Sequence, residues 1–166
     1  MELKEVIMVE RSRLPFRSNC EGYFLKGENI LAKQTKEGII IFPGGGIDDN
    51  ETIEEGMLRE TKEETGAIIT ELKKLGNMNL IWGPQWAKTE KQKKRYEHYQ
   101  GDDMTFFSGV VKEFQNTEVK EDTWGENKFI PLEKVIQILR LQLIEADEEI
   151  RPYREKQLFF LEGLNQ

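Results

Sequence analysis

Glu60, Glu63 and Glu64 fall at i, i+3 and i+4, so on a helix they share one face. Unpaired, three carboxylates at that range repel one another and weaken the helix. An acidic face of this kind ordinarily meets water. A divalent cation turns the same crowding into a site. Mg2+ prefers oxygen ligands, takes one or two carboxylates together with phosphate oxygens, and keeps some of its waters. A cation held there screens the charge of a diphosphate, orients it and activates water. Glu60, Glu63 and Glu64 are therefore the candidate metal ligands, with Mg2+ as the expected ion and Mn2+ as the alternative.

The elements that must position these carboxylates are punctuated in the sequence. Thr52 is a good helix N-cap, and Glu55 three residues on completes a capping box. Gly66 suits the position just past the helix end. The spacing predicts a helix over Ile53–Thr65, packing through Ile53, Met57, Leu58 and Thr61. Gly56 lies between Glu60 and Glu63 around the helix, at ~100° per residue, where a missing side chain would let a metal-bound ligand come close. Before the helix, Gly44, Gly45 and Gly46 read as a flexible loop that positions it and admits phosphates.

From Gly45, five residues lead to Glu51 and seven more to Arg59, followed by Glu60, Thr61, Lys62, Glu63, Glu64, Thr65, Gly66 and Ala67. This pattern resembles the Nudix box, with Gly45, Glu51, Arg59, Glu60, Glu63, Glu64 and Gly66 in its fixed positions. Thr61 stands where the family usually has an aliphatic residue, and Ala67 is a small choice for the last position. The resemblance implies an α/β (α+β) fold, a Nudix-type α/β/α sandwich with a mixed β-sheet between helices. It also implies that Arg59 orients the carboxylates by pairing with Glu51, placing Glu51 and Arg59 beside Glu60 and Glu63 as catalytic residues. The implied reaction is hydrolysis of a diphosphate bond in a nucleoside diphosphate linked to another group. A glutamate serves as general base: Glu60 is the first choice, and Glu121 or Glu126 from a later loop could serve instead or add a metal ligand.

The rest of the chain reads as strands around this helix. Val6–Val9 is a short strand, and 11–19, broken by Pro15, is a loop. Gly22–Leu25 and Ile30–Ala32 flank Gly27-Glu28-Asn29 as a hairpin. Gly38–Phe42 is a β-branched run, read as a buried strand. Ala67–Trp82 forms one or two strands, and 83–103 a long loop, which in a small domain is commonly functional. That loop holds Lys88, Lys91, Lys93, Lys94 and Arg95, then Tyr96, His98 and Tyr99. It reads as a solvated basic loop or a phosphate-attracting lid, with Tyr99 or Tyr96 stacking on a base. His98 reads as an ordinary surface histidine. Met104–Val111 is a strand, 118–127 an acidic loop around Trp124, 129–132 a strand and 132–141 a helix. A closing helix covers 145–164, with Pro152 marking its true start or a kink. Trp82, Trp86 and Trp124 are packing residues or the floor of a nucleobase pocket.

The chain has 166 residues, the length of one domain, and no repeat or linker divides it. Its net charge of −7 argues against non-specific nucleic-acid or anionic-membrane binding. One cysteine, Cys20, excludes an intrachain disulfide and fits a reducing cytosol, and it reads as a packed apolar residue. No apolar run approaches the roughly 20 residues of a membrane span, and the N-terminus lacks the apolar core of a signal peptide. A cytoplasmic enzyme acting on a small nucleotide is expected, within a family in which homodimers are common. Cleavage of a nucleoside triphosphate to monophosphate and pyrophosphate is the first expectation. ADP-ribose-like sugar nucleotides and dinucleoside polyphosphates follow, then a 5′-triphosphate or capped RNA end. A non-catalytic nucleotide sensor or protein-binding domain of the same fold would be expected to lose motif glutamates, and this chain keeps them all.

Overall fold

Tyr23 and Phe24 are adjacent, fully buried and on opposite faces of one strand. Phe106 and Phe107 do the same on its neighbour. Side chains alternate across a strand, so a sheet with two buried faces needs consecutive large apolar residues at its centre. The computed structural model describes residues 10–115, 124–125 and 128–164. It contains β1 (Phe16–Lys26), β2 (Asn29–Leu31), β3 (Lys33–Gln34), β4 (Ile40–Ile41), β5 (Gly44–Gly46), α1 (Ile53–Thr65), β6 (Ala67–Ile81) and α2 (Glu90–His98). After these come β7 (Gly101–Phe114), β8 (Phe129–Pro131), α3 (Leu132–Ile144) and α4 (Arg151–Leu164).

The main sheet runs β6-β7-β1-β2-β8, with β5 paired to β1. β1 and β7 are parallel, in register from Phe16 with Gly101 to Leu25 with Val110, and the other pairings are antiparallel. On one face Tyr23, Ile30 and Phe106 meet Val135 and Leu139 of α3 and Leu161 of α4. On the other, Phe24, Phe107 and Ala67 meet Met57 of α1 and Trp124. Each fully buried side chain of this size contributes ~1.5–3 kcal/mol. The result is the expected α/β/α sandwich with a mixed sheet.

Several expectations need correction. Phe16–Asn19 begins β1 and does not belong to a loop, because parallel pairing with β7 extends the strand past its apolar stretch. The run 38–42 is not a continuous buried strand: only Ile40–Ile41 is extended, paired with β3 in a separate two-stranded sheet. Ile39 and Ile41 are exposed. The interval 83–103 is not one loop. It holds α2, and Gly101 already starts β7. Thr89 and Gln92 form a full capping box there, but α2 buries no residue, so it has no apolar stripe for a periodicity reading to find. Leu58 is exposed and does not join the α1 packing face; Met57 and Thr61 do, as expected, with Ile53 partly buried against the same core, and Gly56 and Thr65 complete it. The closing helix starts at Arg151, with Pro152 in its first turn where a missing N–H costs nothing. Val6–Val9 and most of the acidic loop, including Glu121 and Glu126, lie outside the described residues.

Candidate active site

The helix that carries the carboxylates is fixed at both ends and along one side. The Thr52 hydroxyl accepts from Glu55 N at 3.1 Å, which is the Thr52 half of the expected capping box. Gly66 closes the helix in the left-handed region at φ 78° and donates to Lys62 O. Thr61, the polar choice in a buried position, returns its hydroxyl proton to Met57 O at 2.8 Å. That bond satisfies the group without cost to the packing.

Gly44–Gly46 is a hydrogen-bonded strand, not a flexible loop. Asn19, Cys20 and Glu21 of β1 pair with Gly46, Gly45 and Gly44. The glycines serve thinness rather than mobility. A Cβ on Gly45 would sit 2.6 Å from the Glu60 carboxyl carbon, so only glycine lets that carboxylate lie on the strand. Gly56 is corrected in the same way. A Cβ there would meet Ile47 Cδ1 at 2.6 Å and Glu51 Oε1 at 2.9 Å, so the position is a packing contact and not an opening for a ligand.

Arg59 organises the acidic groups. Its Nε and Nη2 donate to Glu51, at 2.9 and 2.6 Å. Its Nη1 donates to both Glu60 and Glu63 at 3.1 Å, and Nη2 also reaches Gly46 O at 3.1 Å. Asp48 adds a longer ion pair at 3.4 Å. The hydrogen bond from Arg59 holds the Glu51 carboxyl below the usual carboxylate range. In turn Glu51, then Glu60, hold the Arg59 guanidinium firmly protonated.

Glu64 faces the other way along the same line. It accepts from Gly44 N at 3.3 Å and from the buried Trp124 indole, and it shares a hydrogen bond with Glu60. Burial, opposed by Gly44 and reinforced by the Glu60 charge, pushes Glu64 up to about 8. Burial likewise raises Glu60, against the charge of Arg59. A divalent cation beside these two carboxyls would offset both their burial and their mutual repulsion and favour their ionised forms. An all-oxygen pair of this kind suits Mg2+. The third carboxylate, Glu63, lies against Arg59 beside Glu60. As placed, no three acidic, histidine or cysteine side chains among the described residues form a closed metal-holding set.

The remaining candidates are scattered. Trp82 is buried, donates its indole N–H to Asp102 at 3.0 Å and stacks on Trp86 at 3.7 Å. Tyr99 ends α2, and its carbonyl accepts from Arg11 at 3.0 Å. His98 is exposed in the last turn of α2. Cys20 is buried and donates to Gly45 O at 3.4 Å. Burial pushes its thiol up to about 12. Three residues were missed from sequence. Arg17, Asn19 and Asp102 sit at the glycine-strand end of β1 and β7, and only the register of two strands distant in sequence brings them together.

The NUDIX domain family matches residues 4–153. YtkD of Bacillus subtilis, ascribed 8-oxo-dGTP diphosphatase activity, is 36% identical over 66 residues, covering 36% of this chain and 42% of that protein. The aligned part of this chain thus spans less than half of that relative. An RNA pyrophosphohydrolase of Nitratiruptor is 26% identical over 124 residues, 72% of this chain and 76% of the other. Among solved structures, a NUDIX hydrolase from Nitrosomonas europaea superposes with a TM-score of 0.52 at 17% identity, covering 75% of this chain and 78% of its own. The MutT protein of Bacillus halodurans gives 0.51 at 18% identity, with 74% and 73% covered. Both structures share the fold.

Proposed function

The chain belongs to the Nudix hydrolase family, and on that footing we propose that it is a Mg2+-dependent pyrophosphohydrolase that cuts nucleoside triphosphates to monophosphate and pyrophosphate. The observation that carries the reading is the Arg59 fork. One guanidinium holds Glu51, Glu60, Glu63 and the Gly46 carbonyl, so the acidic face of α1 is kept against β5 instead of spreading into water. Glu60, Glu63 and Glu64 would hold the cation, which supplies charge neutralisation on the diphosphate and a more acidic water. Mn2+ is the alternative ion.

The protein's own groups do the rest. Gly44 N and the Trp124 indole fix Glu64. Arg59 limits the rotation of Glu60 and Glu63, which lowers the entropic cost of gathering them around one cation. Glu60, on the bare backbone of Gly45, takes the proton of the attacking water. Pyrophosphate leaves and the nucleotide keeps its first phosphate.

Both named relatives act on molecules with a 5′-phosphate chain by their names, which supports a triphosphate over a sugar-linked diphosphate. The Nitratiruptor relative, aligned over 72% of this chain, favours a triphosphate RNA end as the second reading. The net charge of −7 weighs against it. Cys20 is the single cysteine and suits a cytoplasmic setting; among the described residues no helix is long and apolar enough to cross a membrane. Product analysis with Mg2+ on GTP, ATP, ADP-ribose, a dinucleoside tetraphosphate and triphosphate RNA tests the reading. Pyrophosphate from the free triphosphates is expected. Turnover confined to ADP-ribose or the dinucleotide contradicts it.

A further inference from the structure

We infer that Arg17 of β1 and Arg95 of α2 form a two-guanidinium clamp for the phosphate chain of the substrate. The inference rests on the reading of the site as one for a nucleotide polyphosphate, and it adds a specificity-determining pair outside the motif helix.

Arg17 stands two residues before Asn19, the β1 partner of Gly46, so the two side chains leave the same face of the strand. The Arg17 guanidinium meets Gly46 with its Nη2 end: a Cβ there would overlap Nη2 and lie 2.7 Å from Cζ and 3.3 Å from Nε. The carbonyl of that same glycine is held by Arg59, which also grips Glu60 and Glu63. Arg17 is thus one residue's backbone away from the acidic cluster, and among the described residues it makes no ion pair with it.

α2 brings a second cation to the same place. Its C-terminal end is pinned to the chain just before β1. Arg11 donates to Tyr96 O at 2.6 Å and to Tyr99 O at 3.0 Å, and lies 3.2 Å from the centre of the Tyr96 ring. The Gln100 side chain donates to Leu14 O at 2.6 Å. Arg95, partly buried, stands one turn before this anchored end: its carbonyl accepts from Tyr99 N at 2.9 Å, and the next residue, Gln100, donates its N–H to Pro15 O at 3.0 Å, two residues before Arg17. Burial first, and then the charge of Arg17, lower the hold of Arg95 on its proton. Asp102 offsets both charges at longer range, but its two oxygens accept from the Trp82 indole and the Asn19 amide. Among the described residues neither guanidinium makes a side-chain hydrogen bond or ion pair. Two like charges held together, each with its fork of donors unspent, match a multiply charged oxyanion taken bidentately. A base or a ribose calls for no such pair. Beside carboxylates that hold a cation, the anion is the part of the phosphate chain beyond the cation, so substrates with a free terminal phosphate are preferred.

The test is calorimetric titration of inorganic triphosphate, without added metal, into the full chain and its Arg17→Gln, Arg95→Gln and doubly substituted forms. Each single change is expected to weaken binding roughly tenfold, and Arg17→Lys to recover part of the loss. With Mg2+ and GTP, KM rises by a similar factor while kcat moves less. Arg95 lies on a helix that buries no residue, so its variant keeps the fold and carries the test if Arg17→Gln does not. Equal triphosphate affinity in all the forms, or no binding by the unchanged chain, overturns the clamp. Triphosphate binding that depends on both arginines, with no nucleotide hydrolysed, instead contradicts the proposed reaction and leaves the clamp standing.

Discussion

Arg59 donates two nitrogens to Glu51, which precedes it by eight residues, at 2.9 and 2.6 Å. That pair is the brace of the site: the remaining nitrogen, Nη1, is left to bridge Glu60 and Glu63. A lysine keeps the charge and loses the planar fork. Arg59→Lys is therefore expected to lower kcat roughly 10- to 100-fold, with Arg59→Ala lower still. Steady-state kinetics on the preferred nucleotide checks this; a lysine variant with full kcat would show that the fork does not orient the carboxylates.

Gly45→Ala separates fold from chemistry. The atoms a Cβ would meet at 2.6–2.8 Å are the end of the Glu60 side chain, which can rotate away. Gly45 also holds φ at +159°, where an L side chain is strained, so the folded state should survive with a loss of roughly 1–3 kcal/mol, while the displaced carboxylate costs roughly 100-fold in activity. Thermal melting and kinetics on the same preparation decide it. An active alanine variant would mean that Glu60 has no fixed position in the reaction.

The contrast between α1 and β5 shows what was readable from sequence. α1 carries its charged face over 13 residues and its start and stop in the residues that flank them, Thr52 and Gly66, so local chemistry defines it. The need for glycine at Gly44–Gly46 was visible, but its cause was not, because the atoms that crowd those positions come from Cys20, Glu60 and Arg17. α2 was hidden for another reason. It is held by Arg11 and Gln100 reaching its end and not by an apolar stripe. Trp124 was noticed as an aromatic residue, yet its bond to Glu64 joins residues far apart in the sequence and leaves no spacing to detect.

Glu21 gives a pH dependence. Its buried carboxylate accepts from Tyr23 at 2.5 Å, from Gln157 at 2.9 Å and from Tyr153. Burial raises its pKa despite these donors. The folded state then holds the proton that the unfolded chain releases near ~4.3. Stability tied to this group is fully present below that pH and declines as pH rises from there through the raised folded value. Glu21→Gln removes the titration. Melting temperatures of both proteins across pH 4–9 should therefore differ by an amount that changes with pH in the variant's favour. A difference that stays flat contradicts the assignment.

Cys20 is predicted to be inert in the folded protein. It is 1% exposed, and burial pushes its thiol up to about 12, leaving almost no thiolate at neutral pH. An aromatic disulfide reagent should titrate one thiol only after denaturation. Labelling of the native protein within seconds would contradict the packing of β1 against β5.

On the proposed reaction, the acidic face of α1 holds the cation at which the diphosphate is cut. Pyrophosphate release from GTP, followed with and without Mg2+ in the unchanged chain and in Glu63→Gln, tests it most directly. Release is expected to require Mg2+ and to fall by roughly 100-fold or more in the variant, with an unaltered circular dichroism spectrum. Metal-independent release, or full activity in Glu63→Gln, would contradict it.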